Sequence, residues 1–444
     1  MSFTSSAASI NLKVAIIGGG PAGLATAIEL SKLEFVDWRL YEKKPAISEI
    51  GTGITIQRNT WRMLELMGAA QHLITEDFFR PDGVDGHYLQ HRNGRTGQLI
   101  DEQRPRADTP PHQRPCRAHR AKLQQALLRE VDQNRIRAGT KLVHISVPDS
   151  GEKLQLVFED GFADEVDVLV GADGIRSVVR GFVFPDHRLS YTGATAYRTV
   201  VRLNDAMKIN GIVRVATFWH GNDGKWVYTC PLAGNDFEIT AKIEEPSEGD
   251  ERLSWGREAY VERFIRSFDE FVLPIQQLLR LVTYVQKFDF FAGDRLSSVV
   301  DRSGSVALVG DASHPLSGAF GAGAGFALED AHVLAGALRW AHNEGRSIAD
   351  GLRLFDCVRA PHYSALYKIL NGFSTAEKEL AALGLPADEE IRYRIGRIWN
   401  SKNNWIYHYE ADNALKDAVE QASRQRGATT SIAPSTVKPR LGIS

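Results

Sequence analysis

Cysteine is scarce in this 444-residue sequence. The three cysteines, Cys116, Cys230 and Cys357, are far apart and show no CxxC spacing, which argues against a disulfide framework or a zinc site and fits a reducing, cytoplasmic compartment. Apolar runs are only strand-length and are interrupted by charge, so the sequence predicts no membrane span. The first eleven residues lack a basic segment followed by an apolar core, and we expect a loose tail there rather than a signal peptide.

Net charge is also small. Lys and Arg together number 53 and Asp and Glu 55, which gives a formal net charge of −2. This balance offers no electrostatic reason to expect nucleic acid or an anionic membrane as a partner. Neither a metal-ligand cluster nor a Ser-His-Asp arrangement is legible, so we predict no metal site. The length allows two domains or one large composite domain.

A glycine-rich turn near the start of the chain predicts a dinucleotide-binding βαβ unit. A short β-branched run precedes Gly18-Gly-Gly-Pro-Ala-Gly23, a helical stripe follows it, and a second strand ends at Glu42. Gly18 permits a tight turn, Gly20 lets the backbone approach a pyrophosphate, and Gly23 allows close packing of helix and strand. Glu42 is placed to accept hydrogen bonds from a ribose diol, which favours the adenosine of FAD or NAD over that of NADP.

A second glycine-rich helix start lies far along the chain. A predicted buried strand runs into Gly310-Asp311, and the segment from Gly321 to Gly325 then opens a long helix. One glycine-rich turn is a weak signal, whereas two, with an aspartate at the second, indicate one large cofactor held by both ends of the sequence. We predict that this cofactor is FAD. No second GxGxxG-type βαβ unit follows residue 23, so a nicotinamide cofactor is expected to visit a shallow site and leave.

Two further segments indicate a function only when they are considered together with these turns. Gly171-Ala-Asp173-Gly follows another predicted strand, and on its own could equally be a simple turn. Arg120 begins an amphipathic helix predicted over 120–131, where a solvated helix charge is the ordinary interpretation. Together with the two glycine-rich turns, they resemble the motifs of the group A flavoprotein monooxygenases, the p-hydroxybenzoate and salicylate hydroxylase family. The resemblance covers about residues 14–374.

The resemblance implies specific roles for these segments. Asp173 would contact both FAD and the visiting nicotinamide cofactor, Asp311 would bond the flavin ribityl chain, and Arg120 would meet the FAD phosphates. Gln57 lies in the segment that runs beside the flavin in that family. The expected cofactor-binding residues are Gly18, Gly20, Ala22, Gly23, Glu42, Gly53, Arg120, Asp173, Asp311, Gly321, Ala322, Gly323 and Ala324.

One position departs from the family pattern. The family commonly has a proline beside the flavin ring, four residues after the position of His314, and this sequence has Gly318 there. We expect a differently shaped loop, partly stiffened by Pro315. His314 itself is predicted to belong to the framework of the flavin loop rather than to act as a base.

The resemblance also implies an α/β fold: an FAD-binding Rossmann-like domain of glutathione-reductase type, with an inserted mixed-sheet substrate domain and C-terminal helices. Alternating strand-like segments over 194–201, 212–219, 226–230 and 237–242 predict the inserted sheet. Helices are predicted from Gly323 to His342 and from Ile348 to Gly372. The expected domain boundaries are 1–78, 105–185 and 290–375 for the discontinuous FAD-binding domain, 79–104 and 186–289 for the substrate domain, 376–425 for a C-terminal helical region and 426–444 for a disordered tail.

The resemblance implies a monooxygenase reaction. FAD would accept a hydride from NADPH or NADH, with family habit favouring NADPH, and the reduced flavin would react with O2. The resulting C4a-hydroperoxide would transfer oxygen to an electron-rich ring, and a phenol held as phenolate is the expected nucleophile. Hydroxylation would occur ortho to the hydroxyl, with loss of a carboxylate or dearomatisation as variants, in a role typical of secondary metabolism. A small phenolic substrate and a monomer or homodimer are expected.

Two residues are candidates for handling that phenol. Arg198, on a predicted strand, would lower the pKa of the phenol by its charge, as resemblance to dearomatising fungal hydroxylases suggests; a solvent-facing strand residue is the alternative. Tyr228 shares a strand face with Cys230 and would donate to a substrate oxygen, with a packed core tyrosine as the alternative. Trp219 and Trp226 are expected to pack within the sheet.

Two other functions stay open from the sequence. A flavin-dependent halogenase shares the fold but usually carries a Trp-x-Trp-x-Ile-Pro segment with a lysine near it, and neither pattern is present. A flavin-binding interaction protein without turnover is the other alternative, which the loop around Gly318 favours slightly.

Overall fold

The computed structural model describes residues 11–48, 52–81, 89–147, 153–245, 256–316, 321, 323–399 and 401–424. The predictions for Gly318, for Ala322 and for the tail over 426–444 concern residues outside these ranges. The strands of the described part form four sheets. In chain order they are β1 (Leu12–Ile17), β2 (Val36–Glu42), β3 (Gly53–Ile56), β4 (Phe78–Phe79), β5 (Leu89–Asn93), β6 (Leu99–Gln103), β7 (Cys116–His119), β8 (Ile136–Ala138), β9 (Leu142–Ser146), β10 (Leu154–Phe158), β11 (Ala163–Val166), β12 (Val168–Gly171), β13 (Leu189–Arg202), β14 (Ala216–His220), β15 (Trp226–Pro231), β16 (Asp236–Glu244), β17 (Arg257–Glu258), β18 (Gln286–Gly293) and β19 (Val306–Leu308).

The helices divide into short ones among the strands and long ones near the end of the chain. None of those in the described ranges combines the length and the apolarity that a bilayer crossing demands. They are α1 (Pro21–Leu30), α2 (Arg58–Leu66), α3 (Arg120–Leu128), α4 (Val178–Val183), α5 (Leu203–Ala206), α6 (Val261–Arg266), α7 (Leu273–Leu279), α8 (Gly323–Asn343), α9 (Ile348–Leu383), α10 (Ala387–Ile398) and α11 (Ala411–Arg424).

The predicted βαβ unit forms the middle of a parallel five-stranded sheet, in the order β19-β12-β1-β2-β8. Strands β1, β12 and β19 are nearly continuous apolar runs because this part of the parallel sheet is covered on both faces. Helices α1, α8 and α9 pack beside it and share its hydrophobic core. Both glycine-rich segments therefore start from strands of one sheet, as the α/β prediction requires.

The inserted sheet has eight strands in the order β17-β18-β13-β16-β15-β14-β5-β6. The pairing of β14 with β5 is parallel and the other pairings are antiparallel. Side chains alternate between its two faces. On β13 to β16, one set (Tyr197, Trp219, Val227, Ile239) packs against the phenylalanines of the α6–α7 region. The opposite face carries Arg198, Phe218, Tyr228 and Thr240.

The C-terminal region is helical, as predicted, and continues the fold rather than standing apart from it. Helix α9 runs to Leu383, eleven residues beyond the predicted end at Gly372. Helix α10 lies beside β5, where Asn93 Nδ2 donates to Asp388 Oδ1 at 3.1 Å. Helix α11 packs on α8. The region thus contacts both the parallel-sheet half and the edge of the inserted sheet.

Candidate functional site

One cavity of about 1260 Å³ brings the predicted site residues together. Its wall includes both glycine-rich segments and the face of the inserted sheet that carries Arg198 and Tyr228. Gly23 lies behind the first turn, where a Cβ would stand 1.8 Å from the carbonyl oxygen of Gly18. The other predicted cofactor residues of the described chain line the cavity together with both substrate candidates: Gly18, Gly20, Ala22, Glu42, Gly53, Arg120, Asp173, Asp311, Gly321, Gly323, Ala324, Arg198 and Tyr228.

The first glycine-rich turn leaves space where a phosphate would bind. Gly18 has φ +109°, and a Cβ there would lie 2.4 Å from the carbonyl oxygen of Ala172. At Gly20, the residue before α1, a Cβ would meet no atom within 4 Å. The N–H groups and the positive dipole end of α1 therefore open into the cavity, which is the geometry that binds a pyrophosphate.

Glu42 organises the loop around the predicted ribose position. Its Oε2 accepts the N–H of Gly19 at 2.7 Å and its Oε1 accepts that of Lys44 at 2.8 Å. The carboxylate is nearly buried yet lies on the cavity wall. A carboxylate has about four lone-pair sites, so two remain for a ribose diol. These features fit the adenosine half of FAD.

Arg180 connects the Asp173 segment with the Asp311 turn, a link that the sequence did not indicate. Asp173 Oδ2 accepts the N–H of Val178 at 2.7 Å and so holds the start of α4. From α4, the buried Arg180 donates through Nη1 to the carbonyl oxygens of Asp311 and Ala312, at 3.2 and 3.0 Å. Asp311 keeps its own side chain exposed to the cavity, as a contact with the ribityl chain requires.

A buried ionic network supports the Asp311 turn from behind. Asp330 Oδ2 accepts the N–H of Gly310 at 2.8 Å, and Arg359 Nε donates to its Oδ1 at 2.7 Å. Arg359 Nη2 also donates to Glu329 Oε2 at 2.9 Å. Burial raises the pKa of Glu329 to about 7. His314 is buried 3.8 Å from Asp330 and does not line the cavity, which agrees with a framework role.

Replacing Arg359 with alanine should lower the free energy of unfolding by about 3–5 kcal/mol, because two buried carboxylates lose their shared cation. The loss should shrink as pH falls from 7 to 5, because removing Arg359 raises the pKa of Glu329 further above its unfolded value, so the variant gains more stability from protonation than the unmodified protein does. Denaturant unfolding at both pH values measures this. Arg353→Ala removes an exposed pair with Asp350 from the same helix and should cost less than about 1 kcal/mol. If Arg359→Ala and Arg353→Ala lose the same free energy of unfolding, Arg359 does not stabilise the buried network as described.

The part of the cavity wall formed by the inserted sheet rests on a second buried ion pair. Arg117 Nε and Nη2 donate to the two oxygens of Glu238 at 2.7 and 2.8 Å, and Nη1 donates to Thr55 Oγ1 at 2.8 Å. The Arg117 guanidinium lies 5.1 Å from the Tyr228 ring, within cation–π range. A Cβ at Gly53 would lie 2.4 Å from Glu238 Oε2, so glycine there makes room for the pair.

The two substrate candidates both face this space. Burial, followed by the neighbouring Cys230, raises the pKa of the Tyr228 hydroxyl well above its ordinary value, so it stays protonated and able to donate. Half-buried Arg198 has its guanidinium carbon 5.0 Å from the Phe288 ring. Trp219 packs in the sheet core, as predicted. Trp226 also lines the cavity, which the packing prediction did not foresee.

Several cavity residues come from the C-terminal region and carried no sequence signal. They include Glu377 on α9, Arg394 and Ile398 on α10, and Trp399 just after it. A helical pattern predicts that such residues exist on a helix, but not that the helix folds back over the inserted sheet. Their role becomes visible only from the tertiary arrangement.

Comparison with known proteins gives consistent matches. The FAD binding domain family matches residues 11–366. A salicylate hydroxylase of Pseudomonas putida is 28% identical over 92% of this chain and 94% of that protein. The 2-heptyl-3-hydroxy-4(1H)-quinolone synthase of Pseudomonas aeruginosa is 31% identical over 73% of this chain and 80% of its own length. A solved salicylate hydroxylase substrate complex shares the fold, with a TM-score of 0.76, 24% identity and coverage of 93% of this chain and 98% of that one.

Proposed function

Because the chain belongs to the FAD-binding domain family and is a group A FAD-dependent aromatic monooxygenase, we propose that it hydroxylates a phenol ortho to its hydroxyl, using NADPH or NADH and O2. One observation carries this proposal: Arg198 and Tyr228 face the same cavity that both glycine-rich segments enter. When bound, FAD would supply the redox chemistry of hydride acceptance and O2 activation. The side chains bind, orient and polarise.

The cofactor is held from three sides in this proposal. The N-terminus of α1 at Gly20 and the guanidinium of Arg120 bind the pyrophosphate. Glu42 accepts from the ribose, and Asp311 accepts from the ribityl hydroxyls. The nicotinamide visits the same cavity, consistent with the single GxGxxG-type turn in the sequence.

The phenol is held at the inserted sheet. The guanidinium of Arg198 faces its oxygen and lowers its pKa, so that the bound ring is an electron-rich phenolate. Tyr228 donates its hydroxyl hydrogen to a substrate oxygen. The Arg117–Glu238 pair fixes the Tyr228 ring in place. Relatives that act on salicylate support a small phenol, and a ring carboxylate beside the hydroxyl would make the reaction decarboxylative.

Purified protein with bound FAD tests the proposal. Substituted phenols should accelerate NADPH or NADH oxidation, and the product mass should increase by one oxygen, or show an oxygen gained with carbon dioxide lost. If no phenol accelerates the oxidation of NADPH or NADH, the proposed function is contradicted. Accelerated oxidation that yields only hydrogen peroxide, with no oxygenated product, would contradict it as well.

Glu42→Ala should weaken FAD binding by about 10- to 100-fold, the cost of losing charge-assisted hydrogen bonds to the ribose and to the loop. Titration of the apoprotein with FAD, followed by flavin fluorescence, measures the Kd. Glu34→Ala, an exposed residue shortly before β2, is the matched control and should bind FAD normally. An unchanged Kd in Glu42→Ala would sink the ribose assignment.

A further inference from the structure

One row of residues crosses the inserted sheet on the cavity side. Arg198 lies directly opposite Thr240, Thr240 opposite Tyr228, and Tyr228 opposite Phe218. All four line the cavity. Neighbouring strands are about 4.8 Å apart, so the row from Arg198 to Phe218 spans about 14 Å. That length exceeds one phenol ring bound at Arg198.

The far end of the row is an aromatic compartment. The Trp399 ring centroid lies 4.5 Å from that of Phe218 and 6.4 Å from that of Trp226. Phe218 and Trp226 meet edge to face at 5.1 Å. Ile398 adds an aliphatic surface to the same cavity wall. Such walls favour an apolar group.

Buried neutral side chains anchor Trp399. Its carbonyl oxygen can only accept, so the amide nitrogen of Gln103, at 2.8 Å, donates to it. The same nitrogen lies 3.2 Å from His91 Nε2, which must then be the acceptor. The proton of His91 is therefore on Nδ1, which donates to His220 Nε2 at 2.9 Å. Burial lowers the pKa of His91 to about 3 and that of His220 well below its ordinary value, so both rings stay neutral at assay pH.

We propose that the natural phenol carries an apolar substituent of several carbons that lies along this row, and that Trp399 sets its length limit. The inference rests on the proposed function, in which Arg198 binds the phenolate. Trp399 lies outside residues 11–366, the part of the chain that the FAD binding domain family matches, and belongs to the C-terminal helical region. Gln103 is a positioning residue that holds Trp399 against the sheet.

A series of meta- and para-alkylphenols, from methyl to heptyl, tests the inference, with kcat and KM from phenol-dependent NADPH or NADH oxidation and product masses. In the unmodified enzyme, kcat/KM should rise about fourfold per methylene, mainly through KM, and then fall at a defined chain length. In Trp399→Ala, kcat/KM should begin to fall only at a longer alkyl chain, and in Trp399→Leu this limit should increase by a smaller amount. Gln103→Leu should broaden the cut-off while retaining oxygen transfer. Tyr393→Ala, exposed on α10, should leave the series unchanged.

The outcomes separate the two proposals. If methylphenols are hydroxylated but longer chains give no gain, or if the cut-off is the same in Trp399→Ala and Trp399→Leu as in the unmodified enzyme, the inference is overturned and the proposed function stands. If no phenol of any length is hydroxylated, the proposed function fails and the inference falls with it.

Discussion

Arg198→Ala should lower kcat/KM for hydroxylation of a simple alkylphenol by about 10²–10³-fold at pH 7, while FAD stays bound. The guanidinium is expected to hold the phenol as phenolate. Without it, the pKa of the bound phenol returns toward its ordinary value of about 10, and only a small fraction is ionised at neutral pH. Rates of phenol-dependent oxygen transfer, with the flavin content of each preparation, measure the effect.

The pH profile distinguishes this role from a structural one. In Arg198→Ala the phenolate fraction should increase about tenfold per pH unit below the phenol pKa, so activity should rise steeply from pH 7 to 9. The unmodified enzyme should change little over that range. Arg202→Ala is the matched control, because Arg202 ends the same strand and pairs with Asp205 at the surface. If Arg198→Ala and the unmodified enzyme have pH profiles of the same shape, or if Arg198→Ala loses FAD, Arg198 has a structural role instead.

Much of the fold follows from local patterns. Strands buried on both faces, such as β1 and β19, appear in the sequence as continuous apolar runs, and the glycine-rich turns mark where those strands end. The alternation over β13 to β16 predicts the inserted sheet because successive side chains of a strand point to opposite faces, one packed on the α6–α7 region and the other lining the cavity. These patterns therefore predict that both glycine-rich segments contact one cofactor, and in the structure both segments line one cavity.

Where the sequence prediction stopped short, tertiary packing decided the structure. Gly372 suggested a helix end, but a glycine inside a helix costs only about 1 kcal/mol, which packing can offset. Helix α9 continues instead to Leu383, and the next residue, Gly384, adopts the left-handed conformation typical of a helix terminus. The added turns carry Glu377 into the cavity wall.

The ion pair and the aromatic compartment had no local signature at all. Arg117 and Glu238 are 121 positions apart, and Gln103 and Trp399 are 296 apart. None of these four residues belongs to a recognisable sequence motif. Arg117 stands three residues before Arg120, and only the folded chain shows which of the two arginines faces the inserted sheet. A pairing set by topology rather than by spacing cannot be predicted from one sequence.

Glu238→Gln should lower the free energy of unfolding by about 3–5 kcal/mol, because it leaves the Arg117 cation buried without its counter-charge. Burial alone would raise the pKa of Glu238, but Arg117 outweighs it and holds that pKa at about 2, so the carboxylate is charged at every assay pH. Arg117→Met should destabilise similarly. The double variant should be more stable than the sum of the two losses predicts, since neither charge is then left alone.

Activity should not follow stability in this set. The double variant regains stability but not the cation beside the Tyr228 ring, so its kcat/KM should stay about tenfold or more below that of the unmodified enzyme. Denaturant unfolding measures the stability, and phenol-dependent oxygen transfer measures the activity, of the unmodified enzyme, the two single variants and the double variant. Glu159→Gln, which removes an exposed pair with Lys141, should change neither quantity appreciably. If the double variant recovers full activity along with stability, the ion pair only supports the fold; if activity stays low while stability returns, it positions Tyr228 for the substrate.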